Sequence, residues 1–172
     1  MRAGTMDIID QTIKREGGFV DHPDDPGGAT NMGVTLATLS DFLGRKASYD
    51  EIRNLTHAEA RAVYQARYMD APRFSEIEDH WLREIVFDAG VLFGPPRASR
   101  WLQEAAGVTA DGIVGPATLR AVNAADPRQL GVKFITSWLR RHGERVQAGK
   151  SSHKFIGGWI NRATSHLLSL PV

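Results

Sequence analysis

Between residues 19 and 34 the chain reads FVDHPDDPGGATNMGV, and this stretch limits what the whole can fold into. Proline, glycine and short polar side chains dominate it, so neither a long helix nor a long strand can run through. Before it, Met6, Ile9 and Ile13 recur at helical spacing, with Ile8 widening the stripe. Gly17-Gly18 then offers a stop, because glycine takes positive φ at a helix end without strain. Glu16 is thereby placed in the last turn of the first helix. An irregular segment of this length inside a compact domain is usually functional. Its end, Met32–Thr35, is expected to form a short strand.

Helical patterns dominate the rest. Thr35 can N-cap a helix carrying Leu36, Leu39, Phe42 and Leu43, and Thr56 with Glu59 fits a capping box before Ala60, Val63 and Tyr64. Pro72 ends that segment, and Trp81, Leu82, Ile85, Val86 and Ala89 form a buried stripe. After Gly94-Pro95-Pro96 come a helix with Trp101, Leu102 and Ala105, a turn at Asp111-Gly112, and a short helix starting at Pro116. Asp126-Pro127 opens a long helix, AGKSSHK at 148–154 is a connection, and Phe155, Trp159, Ile160 and Ala163 mark a last helix. The expected fold class is mainly α, with a small irregular or β element after the first helix. The break at 94 divides the chain into 1–93 and 94–172, two parts that either stand alone or share one core.

Composition removes several function classes. The chain has no cysteine, which excludes thiol catalysis and thiolate zinc sites. Lys+Arg 21 against Asp+Glu 20 leaves none of the basic surplus that nucleic-acid binding requires. The nearest basic cluster is Arg140-Arg141 with Arg145, then Lys150 and Lys154; such a run is more often a solvated face than an anion-binding one. No apolar run reaches the roughly 20 residues of a membrane span. The opening MRAGTMDIIDQTIKREGG lacks the apolar core of a secretory signal, so the chain is expected to be made in the cytoplasm. Any substrate outside the cytoplasm would then require delivery by another route.

Glycoside hydrolysis needs a carboxylic acid that keeps its proton and usually a second carboxylate that activates water or attacks the sugar. Glu16 fits the first role. An apolar helix end offers a low-dielectric wall, and the negative pole of the helix disfavours an anion there. Asp25 lies nine positions later and Thr30 five beyond that, and glycines at 27, 28 and 33 permit tight turns and close approach of a sugar. On spacing alone, an acid before two glycines is often only a polar helix end. Asp21, Asp24 and Asp25 fit Asx turns equally well. His22 among these aspartates matches no metal-loop spacing, and no metal or organic cofactor is expected. Of the aromatics at helical spacing, Trp81 and Trp101 are assigned to the core. Tyr68, at a helix end before a polar turn, is a candidate sugar contact. Asp88, alone on an apolar stripe, is a structural carboxylate ahead of a second active-site acid.

The run EGGFVDHPDDPGGATNMGVT, Glu16 to Thr35, resembles the signature of glycoside hydrolase family 108, lysozyme-like N-acetylmuramidases with a Glu-Gly-Gly-aromatic motif. That resemblance implies a lysozyme-like helical fold and Glu16 as catalytic acid. Phe19 stands where tyrosine is commoner, and it becomes a candidate substrate contact. By analogy with phage-type lysozymes, Asp25 would orient the attacking water and Thr30 would assist. Asp24 is chemically equal to Asp25, and Asn31 can replace Thr30 or contact substrate. WLQEAAGVTADGIVGPATLRAV, Trp101 to Val122, is similar to the peptidoglycan-binding domain that accompanies the family, as is the ending FIGGWINR, Phe155 to Arg162. In FDAGVLFGP, Leu92 departs from the asparagine that relatives often carry. The resemblance implies cleavage of the β-1,4 bond between N-acetylmuramic acid and N-acetylglucosamine in peptidoglycan glycan strands. Relatives include phage endolysins and proteins that open the wall for secretion, so a holin or a secretion apparatus is an expected delivery partner. The alternative is a peptidoglycan-binding, secretion-assisting protein with weak or no catalysis.

Overall fold

The computed structural model describes residues 7–21, 28–149 and 156–170. The chain divides into two compact units, Met1–Ala71 and Pro72–Val172. Mainly α architecture, with a small two-stranded sheet after the first helix, is the fold. Among the described residues no helix is long and apolar enough to cross a membrane.

In the first unit, helix α1 spans Ile8–Glu16. Asp7 caps it by accepting from the Ile9 N–H at 3.0 Å, and Gly17 ends it at φ 82°. Strands β1 (Thr30–Asn31) and β2 (Val34–Thr35) form an antiparallel hairpin in which Asn31 faces Val34. Met32 and Gly33 are therefore turn residues, not the start of a strand. Both have positive φ, 51° and 74°, the backbone of a two-residue type I′ turn. The expected strand at Met32–Thr35 is corrected accordingly: the segment contributes half a hairpin, and Thr30-Asn31 supplies the other half. Val20 adds a bridge to Thr30, with Val20 N–H to Thr30 O and Thr30 N–H to Val20 O both 2.8 Å.

Helix α2 (Leu36–Leu43) starts from the Thr35 cap, which accepts from the Thr38 N–H at 3.0 Å. Helix α3 (Tyr49–Arg53) carries a Ser48/Glu51 capping box, and α4 (His57–Tyr64) the Thr56/Glu59 box. The chain then continues as a π-helical turn, Gln65–Asp70. Helices α1 and α4 pack together, and Arg61 of α4 ties them by donating to Asp10 at 2.9 Å and Asp7 at 2.6 Å. Ile9, Ile13, Val34, Ile52, Ala60 and Val63 are among the buried core.

In the second unit, a 3-10 turn (Phe74–Glu76) precedes α5 (His80–Phe93), α6 (Pro95–Ala106), α7 (Pro116–Ala124), α8 (Pro127–Gln147) and α9 (Ile156–Leu168). Helix α5 packs on α6 and α8, and α8 on α9. Compactness therefore places α5 with the helices that follow it, whereas the motifs of the sequence divide at 93/94. Trp81 and Trp101 are core residues, as their helical spacing suggests. Within the Trp101–Val122 motif, buried Gln103 is a knot. Its amide nitrogen donates to Asp111 Oδ1 at 2.7 Å and Ile113 O at 3.0 Å, and its oxygen accepts from the Gly112 N–H at 2.8 Å.

Asp88 is fully buried and structural. The Arg162 guanidinium grips it with Nη2 at 2.7 Å from Oδ1 and Nε at 3.1 Å from Oδ2, and His166 Nε2 lies 3.0 Å from Oδ2. Burial pushes this carboxyl's pKa up, but the hydrogen bonds from His166 and Arg162 outweigh that and hold it at about 2. The WINR ending thus supplies the cation that lets α5 carry an acid inside its apolar stripe.

Candidate active site

Glu16 is the last residue of α1, and the positive φ of Gly17 turns the chain away from its side chain at once. The type I′ turn of the hairpin lies against that side chain. A Cβ placed on Gly33 would stand 2.8 Å from Glu16 Cγ, 3.0 Å from Glu16 Cβ and 2.3 Å from the Tyr64 hydroxyl. Only glycine fits there, both for its left-handed backbone and for this space. The Tyr64 hydroxyl donates to Met32 O at 3.2 Å, which fastens the turn to the end of α4. Tyr68, in the π-helical turn, stacks on Tyr64 with ring centroids 5.5 Å apart. Glu16, the hairpin turn, Tyr64 and Tyr68 therefore form one neighbourhood. π-Helical turns recur at functional sites because they displace side chains from the regular helical register.

Glu16 is exposed, so the apolar wall expected from the sequence is not around it. Beside it, Asp10, Ile13, Lys14, Gly17, Met32 and His57 line a largely apolar cavity of about 480 Å³. A second cavity of about 430 Å³, bounded by Leu39, Phe42, Glu51 and Leu55 among others, is lined by none of the candidate catalytic or substrate-binding residues.

Thr30 is half-buried on β1, with its hydroxyl 3.4 Å from Val20 O. Asn31 is buried, and its amide nitrogen donates to Ile52 O at 3.0 Å and Arg53 O at 3.1 Å. Both amide hydrogens are thus spent on closing the C-terminal end of α3, and in this state Asn31 anchors the hairpin instead of offering a donor to a ligand. Asp25 and Asp24 lie outside the described residues, as does His22. Leu92, on α5, is half-buried.

Phe19 is half-buried and makes a separate cluster. Its ring meets Tyr49 edge to face at 5.9 Å, and the Arg53 guanidinium carbon lies 5.9 Å from its centroid. The Tyr49 hydroxyl donates to the Asp21 carboxylate, a bond that raises the phenol's pKa. Tyr49 and Arg53 escaped sequence reasoning because α3 is short and buries little; the Ser48/Glu51 capping box was the available signal. Among the described residues no group of three or more histidine, aspartate or glutamate side chains is placed to hold a metal ion.

Residues 9–94 match the family "Glycosyl hydrolase 108", and residues 97–164 match "Predicted Peptidoglycan domain". Among functionally curated proteins none matches the chain. The chain is similar to the solved structure of Brucella abortus SagA, with 34% identity, 91% of each chain covered and a TM-score of 0.69. The first match spans half of the chain and takes in Glu16, the hairpin and Tyr64, and the likeness to SagA runs through nearly all of it. The chain belongs to glycosyl hydrolase family 108.

Proposed function

We propose that this chain is an N-acetylmuramidase that hydrolyses the β-1,4 bond between N-acetylmuramic acid and N-acetylglucosamine, with Glu16 as proton donor to the leaving oxygen. The observation that carries the reading is the seat of Glu16. Its side chain stands at an exposed helix end, held against a hairpin turn where nothing larger than hydrogen fits. That seat fixes the acid while leaving its carboxyl open to a polymer. A bound glycan strand covers it and excludes water, which the free protein does not. Asp25, or its neighbour Asp24, orients the attacking water, and Thr30 on β1 assists. Tyr68, beside Tyr64, and Phe19, beside Tyr49, offer apolar faces to sugar rings. Water attack opposite the leaving group gives inversion, for which the two carboxyls would stand about 6.5–9.5 Å apart.

The second matched segment supports peptidoglycan as the partner and the cell wall as the place of action. It also supports a competing reading, a wall binder with weak or no catalysis that assists secretion. Clearing of a peptidoglycan suspension separates the two. On this reading the wild-type chain should clear it, and Glu16→Gln, folded to the same helical content, should not. Equal clearing by both proteins removes the role of Glu16. Binding to sacculi without release of fragments favours the competing reading.

A further inference from the structure

Helices α6 and α8 leave a small polar groove in the second unit, with a volume of about 220 Å³. Arg97, Trp101 and Glu104 line it from α6, at positions four and three apart that share one helix face, and Arg140, Arg141 and Glu144 line it from α8. Arg141 is paired with Glu144 at 3.3 Å. Arg97, Arg140 and Glu104 have no ion-pair or side-chain hydrogen-bond partner among the described residues. Trp101 is 7% exposed, held between Phe93 and Phe134, and forms the floor beside these charges. Unpaired guanidiniums on two facing helices make a site for oxygen anions.

The size and the mixture of charges narrow the ligand. Pockets that enclose a whole small ligand run to roughly 300–1,000 Å³, so a groove of this volume seats an end group of something larger. Glu104 repels a uniformly anionic polymer, and the same carboxylate attracts an ammonium. A ligand with carboxylates and an ammonium close together satisfies both signs. We propose that the groove binds the zwitterionic amino-acid end of a peptidoglycan peptide stem, its carboxylates on Arg97 and Arg140 and its ammonium on Glu104. The second unit would then grip the peptide while the first acts on the glycan, an inference that rests on peptidoglycan being the substrate polymer.

Co-sedimentation of the full chain with two kinds of sacculi tests it: intact sacculi, and sacculi stripped of their stems by an amidase. The wild-type chain should bind intact sacculi at least about tenfold more tightly than stripped ones. The double variant Arg97→Ser/Arg140→Ser should bind both at the stripped level with an unchanged thermal midpoint. A free stem peptide with an unblocked diamino-acid end should displace the wild-type chain, while the same peptide with amidated carboxyls and inorganic phosphate should not. The proposal is overturned by equal binding to intact and stripped sacculi, by undiminished binding of the double variant, or by displacement with phosphate as effective as with peptide. The competition arm uses wild-type protein and decides the matter even if the double variant misfolds. Stem-dependent binding without release of muropeptides would uphold the groove and remove the muramidase reading. Clearing without stem dependence would do the reverse.

Discussion

Gly33→Ala tests whether the hairpin turn sets the position of Glu16. Two costs follow from the geometry. Gly33 has φ 74°, where an L side chain costs about 1–2 kcal/mol. The new Cβ would also stand 2.3 Å from the Tyr64 hydroxyl and 2.8 Å from Glu16 Cγ. Ordinary carbon contacts lie near about 3.5–4.0 Å, so both neighbours must move by about 1 Å. Overpacking of this kind costs a further 1–3 kcal/mol or so. A displacement of about 1 Å at a reacting group can lower a rate about 100-fold. Gly44→Ala is the matched control. Gly44 has φ 66°, and nothing lies within 4 Å of its added Cβ, so it meets the backbone cost alone. Urea unfolding and peptidoglycan clearing should be measured on both variants. Gly44→Ala should lose about 1–2 kcal/mol and keep its rate per folded molecule. Gly33→Ala should lose roughly 2–5 kcal/mol and at least about ten-fold in rate. If the two variants lose the same stability and both keep wild-type clearing, the turn does not seat the acid.

Three further substitutions test the second unit and the turn. Asp88→Asn should cost about 3–5 kcal/mol in urea unfolding, because it leaves the Arg162 guanidinium beside a buried neutral group; a loss under 1 kcal/mol would show that the pair is not structural. Since the Asp88 carboxyl titrates at about 2 when folded against an ordinary 3.8, its stabilisation is complete above pH 3.8 or so and is lost as pH falls through about 2. The stability gap between wild type and Asp88→Asn should therefore shrink in acid, and a gap constant from pH 5 to pH 2 would contradict the assignment. Gly131→Ala on α8 would bring a Cβ to 2.3 Å from Trp81 Cζ3 on α5. It should destabilise by about 1–2 kcal/mol despite the helix propensity of alanine, as read by thermal unfolding, and a stabilised variant would refute the close packing. Met32→Asn should raise stability by about 0.5–1 kcal/mol, since asparagine tolerates φ 51° better than methionine; no gain in urea unfolding would argue against the type I′ turn.

Helix ends were the most legible part of the sequence, because capping is local chemistry. Gly17, Thr35, the Thr56/Glu59 box, Pro116 and Asp126 all mark real boundaries. The hairpin was harder. Its turn carries Met32 where asparagine or glycine is usual, so a strand through Met32 was the natural reading. Helix α3 presents only Ile52 to the core, too little for a periodic stripe. Contacts between distant residues left no local trace. Asp88 and Arg162 stand 74 positions apart, and Asn31 finds its acceptors 21 and 22 positions away. The basic residues Arg140 and Arg141 were visible as a run, but Arg97 joins Arg140 only through the packing of α6 on α8. Glu16 was legible as a helix-end acid, while the exposure of its side chain was not, because an apolar stripe does not say where it ends around the helix.

The central claim is that Glu16 protonates the leaving oxygen of a muramic-acid glycosidic bond. Mass spectrometry of sacculi digested by the wild-type chain and by Glu16→Gln tests it most directly. The account predicts wild-type products with N-acetylmuramic acid at the reducing end and none above background from Glu16→Gln. Reducing-end N-acetylglucosamine, or equal product from the two proteins, would contradict it.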